Sequence, residues 1–197
     1  FIGKLDRVKS ERTLNLPPVK EGDELEILVE GMGRVNFGQA IKDYKGIVSD
    51  VVITAQTPQM ETVFKPRQWN IVTLSDSYER AKDAFAHPAD LDKHVMRMGG
   101  PAMWTQDGKD LLQGRGYYRG TFNLKKVGDT FLNFQTWGKG QVYVNGHELG
   151  RIWSVGPQQT LYCPGCWLKK GENEVIVLDI LGPKEAVVRG QDTPELN

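Results

Sequence analysis

The sequence predicts an all-β protein of antiparallel jelly-roll sandwiches with one short helix, and three observations carry that prediction. There are 22 Gly and 10 Pro among 197 residues, a turn-rich composition that suits many short strands. Short β-branched or aromatic runs bounded by turn signals recur along the chain. One stretch of sequence also occurs twice, once near the start and once near the end.

The elements follow in chain order. Phe1-Ile2-Gly3-Lys4-Leu5 opens the chain in the middle of a strand-like run with no cap, which reads as a fragment or a processed product. Glu24–Val29 follows the turn Glu21-Gly22-Asp23 and predicts a strand. Further strands are predicted at Ser49–Thr54, Thr62–Phe64, Asn70–Thr73, Tyr117–Leu124, Asp129–Gln135, Gln141–Val144, Thr160–Tyr162 and Glu174–Leu178. Only Ser77–Phe85 reads as helical: Tyr78, Ala81 and Phe85 share one face, charged residues fill the other, and Ser75 and Asp76 offer a cap. His87–Met103, with Pro88, Gly99, Gly100 and Pro101, reads as an extended loop.

The repeat organises these pieces. Ile2-Gly3-Lys4-Leu5 matches Leu149-Gly150-Arg151-Ile152, and Thr13–Pro17 matches Thr160–Pro164. After a two-residue insertion, Lys20–Asp23 meets Lys169–Glu172 and Ile27–Glu30 meets Ile176–Asp179. The second copy is preceded by strand-like sequence ending in Asn145-Gly146, a type I′ hairpin signal, whereas nothing precedes the first. The expected organisation is therefore residues 1–48 as the C-terminal half of a first β-sandwich, truncated, and 49–197 as a second, whole sandwich.

Lys plus Arg and Asp plus Glu are 25 each, so the net charge is zero. That balance offers no basic surface for a nucleic-acid backbone or an anionic membrane, and neither is expected as a partner. No run reaches the roughly 18 apolar residues of a membrane helix. Cys163-Pro164-Gly165-Cys166 has redox spacing but is followed by Trp167-Leu168 and a Lys169-Lys170-Gly171 turn rather than a helix, so it reads as two free thiols. His87, His94 and His147 show no paired ligand spacing; no metal and no cofactor are expected.

Candidate chemistry is sparse. Asp90 with Asp92 and Asp107 with Asp110 are closely spaced carboxylates, better explained by turns than by acid-base work. No Gly-x-Ser-x-Gly elbow is present, and no catalytic residue is expected. Trp104, Trp137, Trp153 and Trp167 lie in or near loops of the second unit, where an indole can stack on the apolar face of a sugar or pack in a core. Trp153, beside Arg151, Gln158 and Gln159, is the leading sugar-contact or domain-interface candidate, with Trp104 and Trp137 behind it.

The runs Leu25–Gly38, Asp43–Ile47, Tyr117–Phe122, Val142–Gly146 and Leu149–Pro164 together resemble the C-terminal β-domains of glycoside hydrolase family 35 β-galactosidases, with bacterial members including those of gut Bacteroides the most similar. The resemblance implies galactose-binding-like jelly rolls that pack on an N-terminal (β/α)8 barrel of the same protein. It further implies a retaining exo-β-galactosidase acting on terminal β-linked galactose, with both catalytic glutamates in that barrel. No catalytic position carries over to this chain, and the fragment is expected to be inactive by itself. An extracytoplasmic location also follows from the resemblance. Cys163 departs from the apolar residue the pattern favours, which weighs toward a disulfide with Cys166. A stand-alone carbohydrate-binding module is the other reading.

Overall fold

The structure is a computed structural model that describes residues 2–31, 33, 35–56, 59–74, 77–86 and 114–197. It divides into two units, residues 2–73 and 74–197. The division falls later than the 48/49 boundary expected from sequence, because the hairpin of β1 (Ile53–Gln56) and β2 (Glu61–Phe64) belongs with the first unit.

In the first unit β1 and β2 pair antiparallel, Ile53 opposite Phe64 and Gln56 opposite Glu61. The strands predicted at Glu24–Val29 and Asn70–Thr73 do not form, and Leu25, Ile27, Leu28 and Val29 are all exposed. A β-branched run becomes a strand only when a neighbour takes its backbone N–H and C=O groups. Among the described residues, none of the first copy of the repeat lies in a ladder, while its second copy supplies strands.

The second unit is a two-layer sandwich. One sheet has the order β3 (Gly116–Leu124), β8 (Gly171–Asp179), β5 (Lys139–Val144), β6 (His147–Trp153); the other has β7 (Thr160–Cys163), β4 (Thr130–Asn133), β9 (Arg189–Gln191). All pairings are antiparallel. The predicted strands of this unit are present, slightly extended except for β4, which is shorter than the predicted Asp129–Gln135, and β6 and β9 join them. Asn145-Gly146 makes the β5–β6 turn with φ of 48° and 89°, the left-handed pair a type I′ turn demands.

Alternation along the strands sorts residues into two cores. Val142, Val144, Val175 and Val177 face Leu132, Leu161, Cys163 and Trp137 between the sheets. Tyr143, Ile176 and Leu178 point the other way, with Tyr117, and are covered by α1 (Tyr78–Ala86) through Ala81 and Ala84. Strands β5 and β8 are thus buried on both faces, which explains the unbroken run Val175-Ile176-Val177-Leu178. Each such buried side chain contributes about 1.5–3 kcal/mol. The helix is capped by Ser77, whose Oγ accepts the N–H of Arg80 at 3.3 Å; the cap expected at Ser75 and Asp76 lies outside the described residues.

Two buried polar groups tie the loops to this frame. The Asp179 carboxylate, fully buried, accepts the N–H groups of Gly138 (2.6 Å), Lys139 (3.2 Å), Leu181 (2.9 Å) and Gly182 (2.9 Å). Asn173, also fully buried, accepts from Lys169 N and donates to the carbonyls of Lys169 and Gly171. Asn145 Nδ2 adds a hydrogen bond to Asn173 Oδ1 and another to the Trp167 carbonyl. Satisfied networks of this kind fix a single loop geometry.

Candidate functional site

The sequence candidates separate in space and environment. Trp137 is in the inter-sheet core, edge-on to Tyr118 at 5.2 Å, and its Nε1–H donates to the Val187 carbonyl at 2.8 Å. Its ring therefore packs and offers no open face to a sugar. Trp153 is half-buried at the end of β6, directly opposite Lys139 of β5, whose ammonium sits 4.5 Å from the indole centroid. Such a cation-π contact occupies one face of the ring. Arg151 is exposed on the same strand.

Gln158 and Gln159 belong to a different place. After Trp153 the chain turns through a cis Gly156–Pro157 bond, and Gln158 bridges Leu196 near the C-terminus. Gln158 is exposed, whereas Gln159 is buried, with its backbone N–H donating to the Glu195 carbonyl and its carbonyl accepting from Phe134 N. Trp104, Asp90, Asp92, Asp107, Asp110, His87, His94 and the predicted loop at 87–103 lie outside the described residues. His147 stacks on Trp167 at 4.7 Å, and no group of metal ligands occurs among the described residues.

Cys163 is buried in the core, Cys166 is exposed, and both are free thiols. Burial pushes the Cys163 thiol up to about 11, aided by Cys166 and Asp129. That shift keeps it protonated and unreactive at neutral pH. No helix among the described residues is long and apolar enough to cross a membrane.

The structure exposes a surface the sequence reading missed, on the outer face of the three-stranded sheet. Leu132, Leu161 and Cys163 point inward, so Phe131 and Tyr162 point outward as a directly paired cross-strand dyad, ring centroids 5.6 Å apart. Tyr162 is half exposed, and the neighbouring Asp129 raises the pKa of its hydroxyl. The Asp129 carboxylate accepts Gly165 N at 2.7 Å, and that bond first, with Tyr162 nearby, holds Asp129 below the usual carboxylate range. Beside the rings, Asn133 Nδ2 donates to Gln191 Oε1 at 2.9 Å and to Glu195 Oε2 at 2.7 Å. Gln135 Nε2 reaches the other oxygen of Glu195 at 3.3 Å. The available signal was parity: in Thr160-Leu161-Tyr162-Cys163 the tyrosine alternates with core residues and must face out. A separate apolar cavity of about 670 Å³, lined among others by Tyr118, Phe122, Leu132, Trp137, Val177 and Val188, is part of the space between the sheets.

Fold and surface together define a two-layer antiparallel β-sandwich module. Residues 116–173 match the family model described as "Beta-galactosidase, galactose-binding domain", and residues 1–67 the one described as "Beta-galactosidase, first all-beta domain". The chain is 34% identical over 181 residues to human "Beta-galactosidase-1-like protein 3", covering 91% of this chain and 24% of that protein. It is 34% identical to "Beta-galactosidase 1" of Dictyostelium discoideum (80% and 20% covered) and 33% identical to mouse "Beta-galactosidase" (90% and 26% covered). The chain belongs to the β-galactosidase family of glycoside hydrolase family 35 type, and what it carries of that family is the non-catalytic C-terminal β-domains. It spans about a quarter of the length of these curated relatives.

Proposed function

We propose that this chain is the C-terminal β-domain region of a retaining exo-β-galactosidase that removes terminal β-linked galactose from oligosaccharides. In this reading the sandwich supports an N-terminal (β/α)8 barrel of the same protein, and the barrel holds the acid-base and nucleophilic glutamates. The observation that carries it is the order of the matches, an all-beta domain followed by a galactose-binding domain, as domains of one β-galactosidase. The expected test result is that the full-length protein hydrolyses lactose with retention, that the 197-residue chain alone is inactive, and that deleting residues 116–197 from the full-length protein lowers its thermal stability. A full-length protein with no barrel and no galactoside hydrolysis would overturn the reading. An extracytoplasmic location is part of the same proposal, and cell fractionation checks it.

The alternative, a carbohydrate-binding module acting on its own, draws support from one feature, the outward Phe131–Tyr162 pair with its polar surround. Binding without any linked hydrolytic activity would favour it.

A further inference from the structure

We infer that the space between the two sheets, open between the edge strands β3 and β9, binds a single-chain anionic amphiphile of the long-chain fatty-acid class. The alkyl tail lies along the inner side of β3, and the carboxylate rests on lysines at the mouth. The site stands on the geometry of the sandwich alone, whatever the parent protein hydrolyses.

The opening comes from the way the two sheets end. Among the described residues β3 pairs only with β8 and β9 only with β4, and the cavity of about 670 Å³ reaches both of these edges. The inward row of β3 reads Tyr118, Gly120, Phe122, Leu124, and its three side chains are only partly buried. Gly120 leaves a gap in that row, since a Cβ there would meet nothing closer than Val175 at 3.7 Å. Gly190 leaves a second gap on β9. Protein interiors hold few voids larger than a water molecule, so an apolar space of this size has the dimensions of a ligand pocket.

Shape and volume select one chain. From Tyr118 to Leu124 the β3 lining runs about 20 Å at the rise of an extended strand. An apolar cavity of about 150 Å³ holds benzene, or about 25 Å³ per carbon, so one chain of about 16 carbons needs about 400 Å³ and a pair about 800 Å³. One chain fits and two do not. With its Nε1–H spent on the Val187 carbonyl, Trp137 offers the tail only apolar ring surface.

The mouth is cationic. Lys126 itself lines the cavity, in the turn that leaves β3. Leu124 is opposite Gly171 in the β3–β8 ladder, so Lys125 and Lys126 emerge from the same end of the sheet as Lys169 and Lys170. All four are exposed. Of the acids in the same segments, Asp129 is occupied by Gly165 N, and Glu172 stands two residues past Lys170. An ammonium group on a long apolar stem at the rim of an apolar groove complements a carboxylate on an alkyl tail, since both heads stay in water while both stems are covered.

The test is a two-dimensional NMR titration of the 197-residue chain with dodecanoate below its micelle concentration, with butyrate and dodecyltrimethylammonium in parallel. Dodecanoate should give saturable shifts at Gly120, Phe122, Val177 and the Trp137 indole N–H, with a dissociation constant on the order of 10–100 μM. Butyrate, which keeps the carboxylate and loses the tail, should bind at least about a hundredfold more weakly. The ammonium amphiphile should bind at least fivefold more weakly than dodecanoate. Gly120→Val fills the gap with a residue suited to a strand and should weaken dodecanoate tenfold or more while the spectrum keeps its native dispersion. Lys126→Glu, at an exposed turn position, should weaken dodecanoate several-fold and bring the two charged amphiphiles to similar affinity. No saturation by dodecanoate, shifts confined to the outer face around Tyr162, equal binding of the ammonium amphiphile by the unsubstituted chain, or a folded Gly120→Val that binds undiminished would each overturn the assignment. Should Gly120→Val not fold, the shift map and Lys126→Glu decide it.

Discussion

The Tyr78 hydroxyl donates to Glu174 Oε1 at 2.7 Å, joining helix α1 to strand β8 across 96 positions of sequence. The other carboxylate oxygen accepts from Arg119 of β3 at 2.6 Å, so one glutamate ties the helix and the edge strand to the centre of the sheet. The Tyr78 ring, meanwhile, lies 6.1 Å from that of Tyr143 and helps roof the second core. Removing the hydroxyl leaves this packing in place, and Tyr78→Phe should cost about 1–2 kcal/mol in urea unfolding. Glu174→Ala should cost more, because two donors lose their acceptor.

The same hydroxyl makes stability depend on alkaline pH. Burial first, then the hydrogen bond to Glu174, pushes Tyr78 from 10 up to about 12. The folded form thus holds its proton more tightly than the unfolded form, so this contribution is complete below pH 10 and is lost as pH rises toward 12. Unfolding midpoints measured between pH 9 and 12 should fall through that window, and the fall should be shallower in Tyr78→Phe.

Asp179 is the acceptor for four backbone N–H groups in the turns after β8 and before β5. Asp179→Ala strands those donors in a buried site and should cost about 3 kcal/mol or more. Urea unfolding of the purified variant is the check, and a loss under about 1 kcal/mol would show that water or loop movement replaces the carboxylate.

Glycine tolerance should differ sharply between two positions. A Cβ at Gly140 would lie 1.6 Å from the Leu178 carbonyl oxygen, inside the β5–β8 ladder, so Gly140→Ala should prevent the sandwich from assembling. At Gly128 nothing lies within 4 Å, and Gly128→Ala should change stability by no more than about 0.5 kcal/mol. Soluble yield and thermal melting distinguish the two.

Thiol labelling should be one-sided. Cys166 is exposed and Cys163 is buried with its pKa raised to about 11, so iodoacetamide at pH 8 should modify Cys166 alone in the folded chain and both residues in urea. Mass spectrometry of the digested protein reads the result, and rapid modification of Cys163 under native conditions would contradict the packing.

Much of the second unit was legible as sequence because its signals are local. Asn145-Gly146 announces its turn through φ alone, and Tyr78, Ala81 and Phe85 announce a helix through spacing. Strand β9 went unseen because Arg189-Gly190-Gln191 has no β-branched or aromatic residue; it is a strand only because β4 presents a free edge to pair with. Glu24–Val29 failed in the opposite sense, since its propensity is strong and among the described residues it lies in no strand. Trp137 and Trp153 look alike as letters, yet one is sealed between sheets and the other lies under Lys139, because burial is a property of neighbours.

By itself, then, the amino-acid sequence determined the all-β class, the strand-rich second half, the turn chemistry and the likeness to β-galactosidase domains, all of which depend on residues near one another or on runs of identity. Only the tertiary structure decided which face of each strand is buried, and so set Tyr162 outward beside Phe131 while Leu161 and Cys163 went in. It also brought Glu195 to Asn133 across 62 positions, and Asp179 to Gly138 across 41. The physical reason is that a strand's two faces are chemically equivalent until a second layer covers one of them, and a lone carboxylate has no assigned partner until chain folding supplies its donors.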